Sequence, residues 1–185
     1  MRLVLASQSP RRRELLKTAG FQFTVRARPV EEVRGVEEPP RDYVLRLARK
    51  KAEAAWEGQD EIVLGADTTV VVGDRVLEKP IDIGDARAML KALSGVRHTV
   101  MTGICLRSPT ATVVDCESTH VYFAPLTDRE IEEYSSSGES MDKAGAYAIQ
   151  GLASKFVERV EGCYFNVMGL PLALFYRHWK ICDRT

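Results

Sequence analysis

Short apolar runs alternate with amphipathic segments along most of the chain. The first run, residues 3–6, stops at two serines and a proline, and leucines at helical spacing follow it. This order predicts a strand, a tight turn and a helix, with Ser9 as the N-cap and Pro10 as the first helical residue. The helix is expected to reach about Thr18 and to end at Gly20, a typical C-cap glycine.

The later segments continue this alternation of strands and helices. Amphipathic patterns predict helices over residues 42–56, 83–93, 127–135 and 165–179, the last interrupted near residue 169. Apolar or alternating runs predict strands over residues 21–25, 61–72, 75–80, 97–106, 111–123 and 154–160. The turn at residues 73–74 and the turn at residues 108–110 are both too short for a crossover connection. We therefore expect the strands on either side of each turn to be antiparallel, which makes the sheet mixed.

Composition narrows the class of protein. The chain has 185 residues, 45% of them hydrophobic, which fits one substantial core or two lobes sharing a sheet and argues against disorder. Lys+Arg and Asp+Glu are both 26, so the net charge is zero and no global attraction to nucleic acid or membrane is expected. The chain shows neither a secretory leader pattern nor an apolar run of membrane-spanning length. We therefore expect a cytoplasmic protein with no nucleic-acid and no membrane partner.

The cysteines give no sign of a metal or disulfide framework. They are widely scattered, without a Cys-x-x-Cys pair or a nearby histidine cluster, which favours reduced thiols over a zinc site. Cys105 and Cys116 could face each other across a predicted hairpin, but the sequence alone does not place their β-carbons.

The first predicted helix begins with three arginines, Arg11, Arg12 and Arg13. Cations at this end of a helix are disfavoured by about 0.3–1 kcal/mol each, because the helix dipole is positive there. A phosphate would relieve this, since unpaired backbone N–H groups and planar guanidinium groups both suit it. The alternative is a solvated basic helix start.

An aspartate lies in the middle of the most apolar predicted strand. Asp67 follows Gly65 and Ala66, which are small enough to let a ligand approach the backbone. A buried carboxylate needs a charged partner, hydrogen bonds or a metal, and a ligand site is favoured over a structural salt bridge. We expect the returning strand to bring Lys79 back toward the level of Asp67; the alternative for Lys79 is an edge lysine that opposes aggregation.

Two further candidates have ordinary structural alternatives. Glu31 and Glu32 lie in a loop over residues 28–40 that is rich in prolines and acidic residues, and a plain surface loop is the alternative there. Lys51 lies on the amphipathic helix over residues 42–56, where a lysine is usually solvated.

The segment 139–151 mixes charges, small residues and glycines, including Asp142, Lys143 and Gln150. It shows little core periodicity, so we expect it to be too costly to order for packing alone and to contact a ligand. A cationic set of this kind suits a polyphosphate, and Asp67 with an acidic loop residue suits a hard divalent cation. Together these features predict metal-assisted phosphoryl chemistry.

Taken in order, these motifs resemble those of the Maf family of nucleoside triphosphate pyrophosphatases. They are Ser7-x-Ser9-Pro10-Arg11-Arg12, Glu32, Lys51-Ala52, Gly65-Ala66-Asp67-Thr68, Glu78-Lys79-Pro80, Ser94-Gly95 to Thr102-Gly103, and the run from Asp142 to Gly151. One alone would be weak, but the ordered set is specific and covers nearly the whole chain. The resemblance implies one domain over residues 1–185, with two lobes that share a sheet. It implies an α/β fold with an elongated mixed β-sheet, flanking helices and a cleft between the lobes, related to the inosine triphosphate pyrophosphatases.

The resemblance also implies an activity: a nucleoside triphosphate is cleaved between its α- and β-phosphates, with Mg²⁺ or Mn²⁺, to the monophosphate and pyrophosphate. The proton acceptor is expected to be Asp67, which is also expected to hold the metal together with Glu32. The substrate-binding and specificity residues are expected to be Ser9, Arg11, Arg12, Lys51, Thr68, Lys79, Lys143 and Gln150.

Gln150 bears on the substrate. Within the family, the ending Ile149-Gln150-Gly151 resembles the branch that acts on dTTP and UTP, whereas glutamate marks a branch that acts on 7-methyl-GTP. An amide both donates and accepts at a pyrimidine's edge, while a carboxylate suits the donors of guanine. The implied role is the clearing of dTTP, UTP or modified pyrimidine nucleotides from the nucleotide pool.

Other functions stay open at this point. The first alternative to a pyrophosphatase is a regulator of cell division that binds nucleotide without hydrolysing it. The second is a scaffold that binds a phosphate-bearing ligand other than a nucleotide. The sequence leaves the oligomeric state open, with a homodimer as one alternative.

Overall fold

The computed structural model describes residues 1–58 and 60–183. Its helices are α1 (Pro10–Thr18), α2 (Pro40–Ala54), α3 (Ile83–Leu93), α4 (Asp128–Ser136), α5 (Tyr164–Val167) and α6 (Leu172–Cys182). Its strands are β1 (Arg2–Leu5), β2 (Phe23–Val25), β3 (Glu61–Val72), β4 (Arg75–Leu77), β5 (Arg97–Arg107), β6 (Thr112–Phe123) and β7 (Val157–Glu161). Short 3₁₀ helices lie at Ala144–Ala146 and Leu152–Phe156.

The strands of the described residues form one seven-stranded sheet in the order β2-β1-β3-β5-β6-β7, with β4 paired to β3. Strand β1 runs parallel to β2 and β3, whereas β4 is antiparallel to β3 and β7 is antiparallel to β6. Strands β5 and β6 are joined by a turn in which Ser108 N–H donates to the Ala111 carbonyl at 2.8 Å, a link too short for a crossover. The predicted α/β class, a mixed sheet flanked by helices, is confirmed.

The chain divides into two compact units. Unit 1 takes its described residues from the ranges 1–68, 102–117 and 169–183, and unit 2 consists of residues 69–101 and 118–168. The prediction of a single domain over residues 1–185 stays a prediction.

In unit 1, helix α2 lies directly on the backbone of two strands. A Cβ on Gly65 of β3 would come within 2.1 Å of the Ala48 carbonyl oxygen, and one on Gly103 of β5 within 2.4 Å of the Val44 carbonyl oxygen. Real Cβ atoms do not approach this closely, so only glycine fits at either position. The buried apolar residues of this region include Val4, Ala48, Ala52, Val63 and Cys105.

In unit 2, the segment 139–151 packs more than its sequence predicts. Residues 146–149 are consecutive and all buried, so the segment contributes to the core although its sequence shows little core periodicity. Its contact with a ligand stays a prediction. The apolar residues follow neither helical nor strand periodicity, because the backbone turns sharply there, with φ of 70° at Gly145 and 59° at Ala146. A Cβ on Gly145 would also meet the Val70 side chain at 2.9 Å. Only the ends of the motif, at Asp142 and Gln150, stay exposed.

Several element boundaries differ from the predictions, and at two of them a strand loses three predicted residues. The strand predicted over residues 75–80 ends at Leu77, which leaves Lys79 beyond the paired segment. The strand predicted over residues 154–160 begins only at Val157, because Leu152–Phe156 forms a 3₁₀ helix. The interruption predicted in the last helix is confirmed between α5 and α6. Within residues 1–58 and 60–183, no helix has both the length and the apolar character needed to cross a membrane.

Candidate functional site

The predicted start of helix α1 is confirmed. Ser9 Oγ accepts from the backbone N–H of Arg12 at 3.5 Å, and Pro10 occupies the first helical position. Ser7 Oγ accepts from the backbone N–H of Ser9 at 3.2 Å. The two serine hydroxyls therefore shape the turn between β1 and α1, and a phosphate contact by Ser9 stays a prediction.

The guanidinium of Arg12 is buried and is held by three neutral oxygens. Its Nε donates to the Gly169 carbonyl at 2.7 Å, and its two terminal nitrogens donate to Ser7 Oγ and Thr68 Oγ1 at 3.0 Å each. A guanidinium has five N–H bonds, so two stay available for a ligand. Burial lowers the pKa of Arg12, against the raising effect of the nearby Asp67 charge. A buried cation bonded directly to neutral acceptors is suited to receive an anion.

Thr68 connects Arg12 to a second threonine. Its Oγ1 lies 2.9 Å from Oγ1 of Thr102, which is fully buried on β5. The Thr68 hydroxyl is therefore oriented from two sides. Sequence reasoning assigned no role to Ser7, Thr102 or Gly169. The break in the last helix marked Gly169 as unusual, but nothing in the sequence indicates that its carbonyl faces Arg12.

Asp67 finds its partner in Lys51. Lys51 Nζ donates to Asp67 Oδ1 at 2.5 Å and lies 2.8 Å from Glu32 Oε1. Asp67 is only 8% exposed, and burial raises its pKa, against the lowering effect of the Lys51 charge. Lys51 is thus not a solvated lysine, because two carboxylates from different segments converge on its ammonium group.

The same two carboxylates fit a hard divalent cation. Asp67 Oδ1 and Glu32 Oε1 already contact Lys51 Nζ, so a cation beside the ammonium would use the remaining oxygen of each carboxylate. In the part of the chain that the structure describes, no group of three or more His, Cys, Asp or Glu residues could hold a metal. A cation at Asp67 and Glu32 would therefore need further oxygens from water or phosphate, as Mg²⁺ usually does.

Helix α2 also anchors the loop that carries Glu32. The hydroxyl of Tyr43 donates to the Glu32 carbonyl at 2.7 Å, and Arg46 donates to the Val33 carbonyl at 3.0 Å. Arg46 also bonds both oxygens of Glu38, at 2.6 and 2.7 Å, which lowers the pKa of Glu38 to about 2. The loop is thus fixed to the helix that bears Lys51, rather than being a plain surface loop.

Arg11 and Lys79 have fewer contacts. Arg11 is half-buried and its charge helps to lower the pKa of its neighbour Arg12. Lys79 is exposed. No hydrogen bond or ion pair is seen for either side chain among residues 1–58 and 60–183, so the roles predicted for both stay predictions.

Lys143 and Gln150 belong to unit 2. Lys143 Nζ donates to the Glu139 carbonyl at 2.6 Å and pairs with the exposed Asp142 carboxylate. Gln150 is exposed, and hydrogen bonds fix the backbone on both sides of it: Ala148 N–H donates to the Tyr134 hydroxyl and Leu152 N–H donates to Glu139 Oε2.

These features define an α/β protein in which unit 1 carries a preformed polar site suited to an anion and a divalent cation. A family model described as Maf-like protein matches residues 2–180, and the chain belongs to this family.

Curated relatives agree with this assignment. A protein of Koribacter versatilis is 51% identical over 178 residues, covering 96% of this chain and 92% of its own, and one of Anaeromyxobacter dehalogenans is 55% identical, covering 93% and 89%. Both carry the name dTTP/UTP pyrophosphatase. A solved structure of a dITP/XTP pyrophosphatase from Mycobacterium abscessus aligns with a TM-score of 0.41 and 17% identity, covering 68% of this chain and 76% of its own. That likeness is too distant to define a fold or a function.

Proposed function

We propose that this protein hydrolyses dTTP and UTP to the monophosphate and pyrophosphate, and so removes these nucleotides, or modified pyrimidine nucleotides, from the pool. The observation that carries the proposal is the cluster of Asp67, Lys51 and Glu32 in the same unit as a buried Arg12 with two unused N–H bonds. The names of the relatives supply the substrate.

In this proposal Asp67 accepts the proton of the water that attacks the α-phosphorus. Its burial supports this role, because a carboxylate whose pKa is raised is a stronger base. Lys51 holds Asp67 in place through its ammonium group. The free N–H bonds of Arg12, together with Arg11, bind phosphate oxygens and stabilise the charge that moves onto the leaving pyrophosphate.

A divalent cation fits the same chemistry. Asp67 and Glu32 are the residues that would hold Mg²⁺ or Mn²⁺, which would neutralise phosphate charge. The remaining predicted residues take supporting roles in the proposal: Ser9, Lys79 and Lys143 contact phosphate oxygens, Thr68 contributes to specificity with its oriented hydroxyl, and the amide of Gln150 reads the edge of the base.

A substrate screen tests the proposal. The purified protein is incubated with each common nucleoside triphosphate in Mg²⁺, Mn²⁺ or EDTA, and pyrophosphate and monophosphate are both measured. We expect equal amounts of the two products, release fastest from dTTP and UTP, and loss of turnover in EDTA. Release of inorganic phosphate in place of pyrophosphate would contradict the cleavage position.

The same assay separates the alternative of a regulator without turnover. Nucleotide binding, seen as a rise in the melting temperature, with no product formed in any metal would support the regulator. The names of the curated relatives favour turnover.

A further inference from the structure

A closed set of hydrogen bonds surrounds the backbone that carries Gln150. The Tyr134 hydroxyl donates to Glu139 Oε1 at 2.8 Å and accepts from the Ala148 backbone N–H at 3.1 Å. The second oxygen of the same carboxylate, Oε2, accepts from the Leu152 backbone N–H at 3.2 Å. Residues 148 and 152 lie on either side of Gln150, so this ring holds both ends of a five-residue segment.

The Glu139 carboxylate packs directly against the backbone of the turn at Gly151. A Cβ on Gly151 would lie 2.2 Å from Glu139 Oε2, so the carboxylate occupies the space that a side chain at this position would take. The turn is completed by a hydrogen bond from Gly151 N–H to the Ala148 carbonyl at 3.0 Å. Glu139 thus fixes the turn through its side chain, and only glycine at position 151 permits it.

The ring separates a buried part from an exposed one. Tyr134, Ala148 and Ile149 are buried, whereas the Gln150 side chain is exposed. The hydrogen bonds therefore fix the backbone from which the Gln150 side chain projects, while leaving the donors and the acceptor of its amide open to a ligand. The backbone of Glu139 adds a further link, because its carbonyl accepts from Lys143 Nζ at 2.6 Å.

We propose that Tyr134 and Glu139 are positioning residues for substrate selection: through the Ala148 and Leu152 backbone N–H groups they hold the Gln150 backbone in the position from which its side-chain amide reads a pyrimidine edge. This inference rests on the proposed function, since it assigns to Gln150 the reading of the base. Neither Tyr134 nor Glu139 touches the substrate in this proposal. Their loss should therefore act on the choice between bases more than on the rate of phosphate chemistry.

Two variants open the ring from opposite sides. Glu139→Gln keeps the size of the side chain but removes the charge and one of the two oxygen acceptors. Tyr134→Phe removes the hydroxyl that both donates and accepts. Glu133→Gln is the matched control, because Glu133 is a glutamate on the same helix as Tyr134 and pairs with the exposed Arg129, four residues before it.

The first measurement is amide hydrogen exchange, which does not depend on activity. We expect protection at Leu152 to fall about tenfold in Glu139→Gln, and protection at Ala148 to fall about tenfold in Tyr134→Phe, with Glu133→Gln unchanged. Unchanged protection at both amides in both variants would overturn the inference.

The second measurement is the ratio of kcat/KM for dTTP to kcat/KM for dATP. We expect this ratio to fall about fivefold to tenfold in each ring variant, with the control at the unsubstituted value. The double variant should lose no more selectivity than either single one, because both changes open the same ring. A normal ratio in variants whose amides have lost protection would overturn the inference.

The outcome of the proposed function is read separately. If the unsubstituted protein releases no pyrophosphate from dTTP or UTP, the proposed function fails. The inference is then decided by binding of the α,β-methylene analogues of dTTP and dATP to the same variants. A five- to tenfold loss of selectivity in binding supports it and an unchanged selectivity overturns it.

Discussion

The two units hold their candidate residues in different ways. In unit 1, the charges themselves are buried and bonded: Arg12 contacts three oxygens, and Lys51 joins two carboxylates. In unit 2, the backbone is buried and bonded while the Gln150 side chain is exposed. Unit 1 thus preorganises charge, and unit 2 preorganises the backbone that carries one exposed amide. The buried, bonded charges of unit 1 suit the stabilisation of phosphate charge, whereas the exposed amide of unit 2 suits hydrogen bonding to the edge of a ligand.

The strongest test of this comparison is to neutralise a carboxylate in each unit. Asp67→Asn should lower kcat about 10³-fold, because the proton acceptor is lost, while nucleotide binding is largely kept. Asp74→Asn changes an exposed carboxylate of unit 2, in the turn between β3 and β4, and should leave kcat within about twofold of the unsubstituted value. Steady-state pyrophosphate release and nucleotide titration measure both effects. Near-normal turnover in Asp67→Asn would remove Asp67 from its assigned role.

Unit 2 also contains a buried titratable group that serves packing. His98 contacts the Tyr147 hydroxyl at 2.8 Å, and burial lowers the pKa of His98 to about 4. Below pH 6.5 the unfolded chain binds this proton and the folded protein does not, so stability is full above pH 6.5 and falls as the pH drops toward 4. The loss should reach about 3 kcal/mol, measured as the free energy of urea unfolding. The variant His98→Gln should flatten this pH dependence, and an equally steep fall would exclude His98 as its source.

Lysines of equal exposure allow a third comparison. The side chains of Lys51 and Lys143 are both 13% exposed, but Lys51 neutralises two carboxylates, one of them the buried Asp67, while the carboxylate partner of Lys143 is exposed. Lys51→Met should cost about 2 kcal/mol of unfolding free energy, because it leaves a buried charge unpaired. Lys143→Met should cost about 1 kcal/mol or less. Chemical denaturation of the two variants checks the order, and a larger cost for Lys143→Met would reverse the comparison.

The smallest expected effect concerns the exposed amide. Gln150→Glu should lower kcat/KM for dTTP and UTP about tenfold, because a carboxylate accepts but does not donate to a pyrimidine edge. Gln22→Glu, at another exposed glutamine, is the control and should leave the ranking of nucleotides unchanged. An unchanged ranking in Gln150→Glu would refute the role of Gln150 at the base.

The sequence predicted the elements of this fold better than the contacts of its polar residues. Helix α3 lies where its helical period places it, and strand β3 lies where a nearly continuous apolar run places it. The burial of residues 146–149 could not be predicted, because it depends on the positive φ angles of Gly145 and Ala146, which no periodicity reveals.

In the candidate site, the need of Asp67 for a partner could be read from its apolar surroundings, but the partner could not. The contact with Lys51 depends on how closely helix α2 approaches β3, which is a property of tertiary packing. The role of Gly169 at Arg12 was missed for the same reason, since a carbonyl 157 residues away leaves no local signal. Ser7 is only five residues from Arg12, but its hydroxyl could not be assigned to the guanidinium without the geometry of the turn between them.

The contacts at Gly65 and Gly103 have a consequence for how this protein tolerates change. At these two glycines the backbone of helix α2 contacts the backbone of a strand directly. These contacts set the distance between the helix and the sheet, and the size of the surrounding side chains does not. Aliphatic residues around α2 can therefore be exchanged for others of similar volume with little movement of Lys51 relative to Asp67. A single added methyl group at either glycine would instead push helix α2 away from the sheet. The Lys51 ammonium would then separate from the Asp67 carboxylate, although neither charged residue is changed.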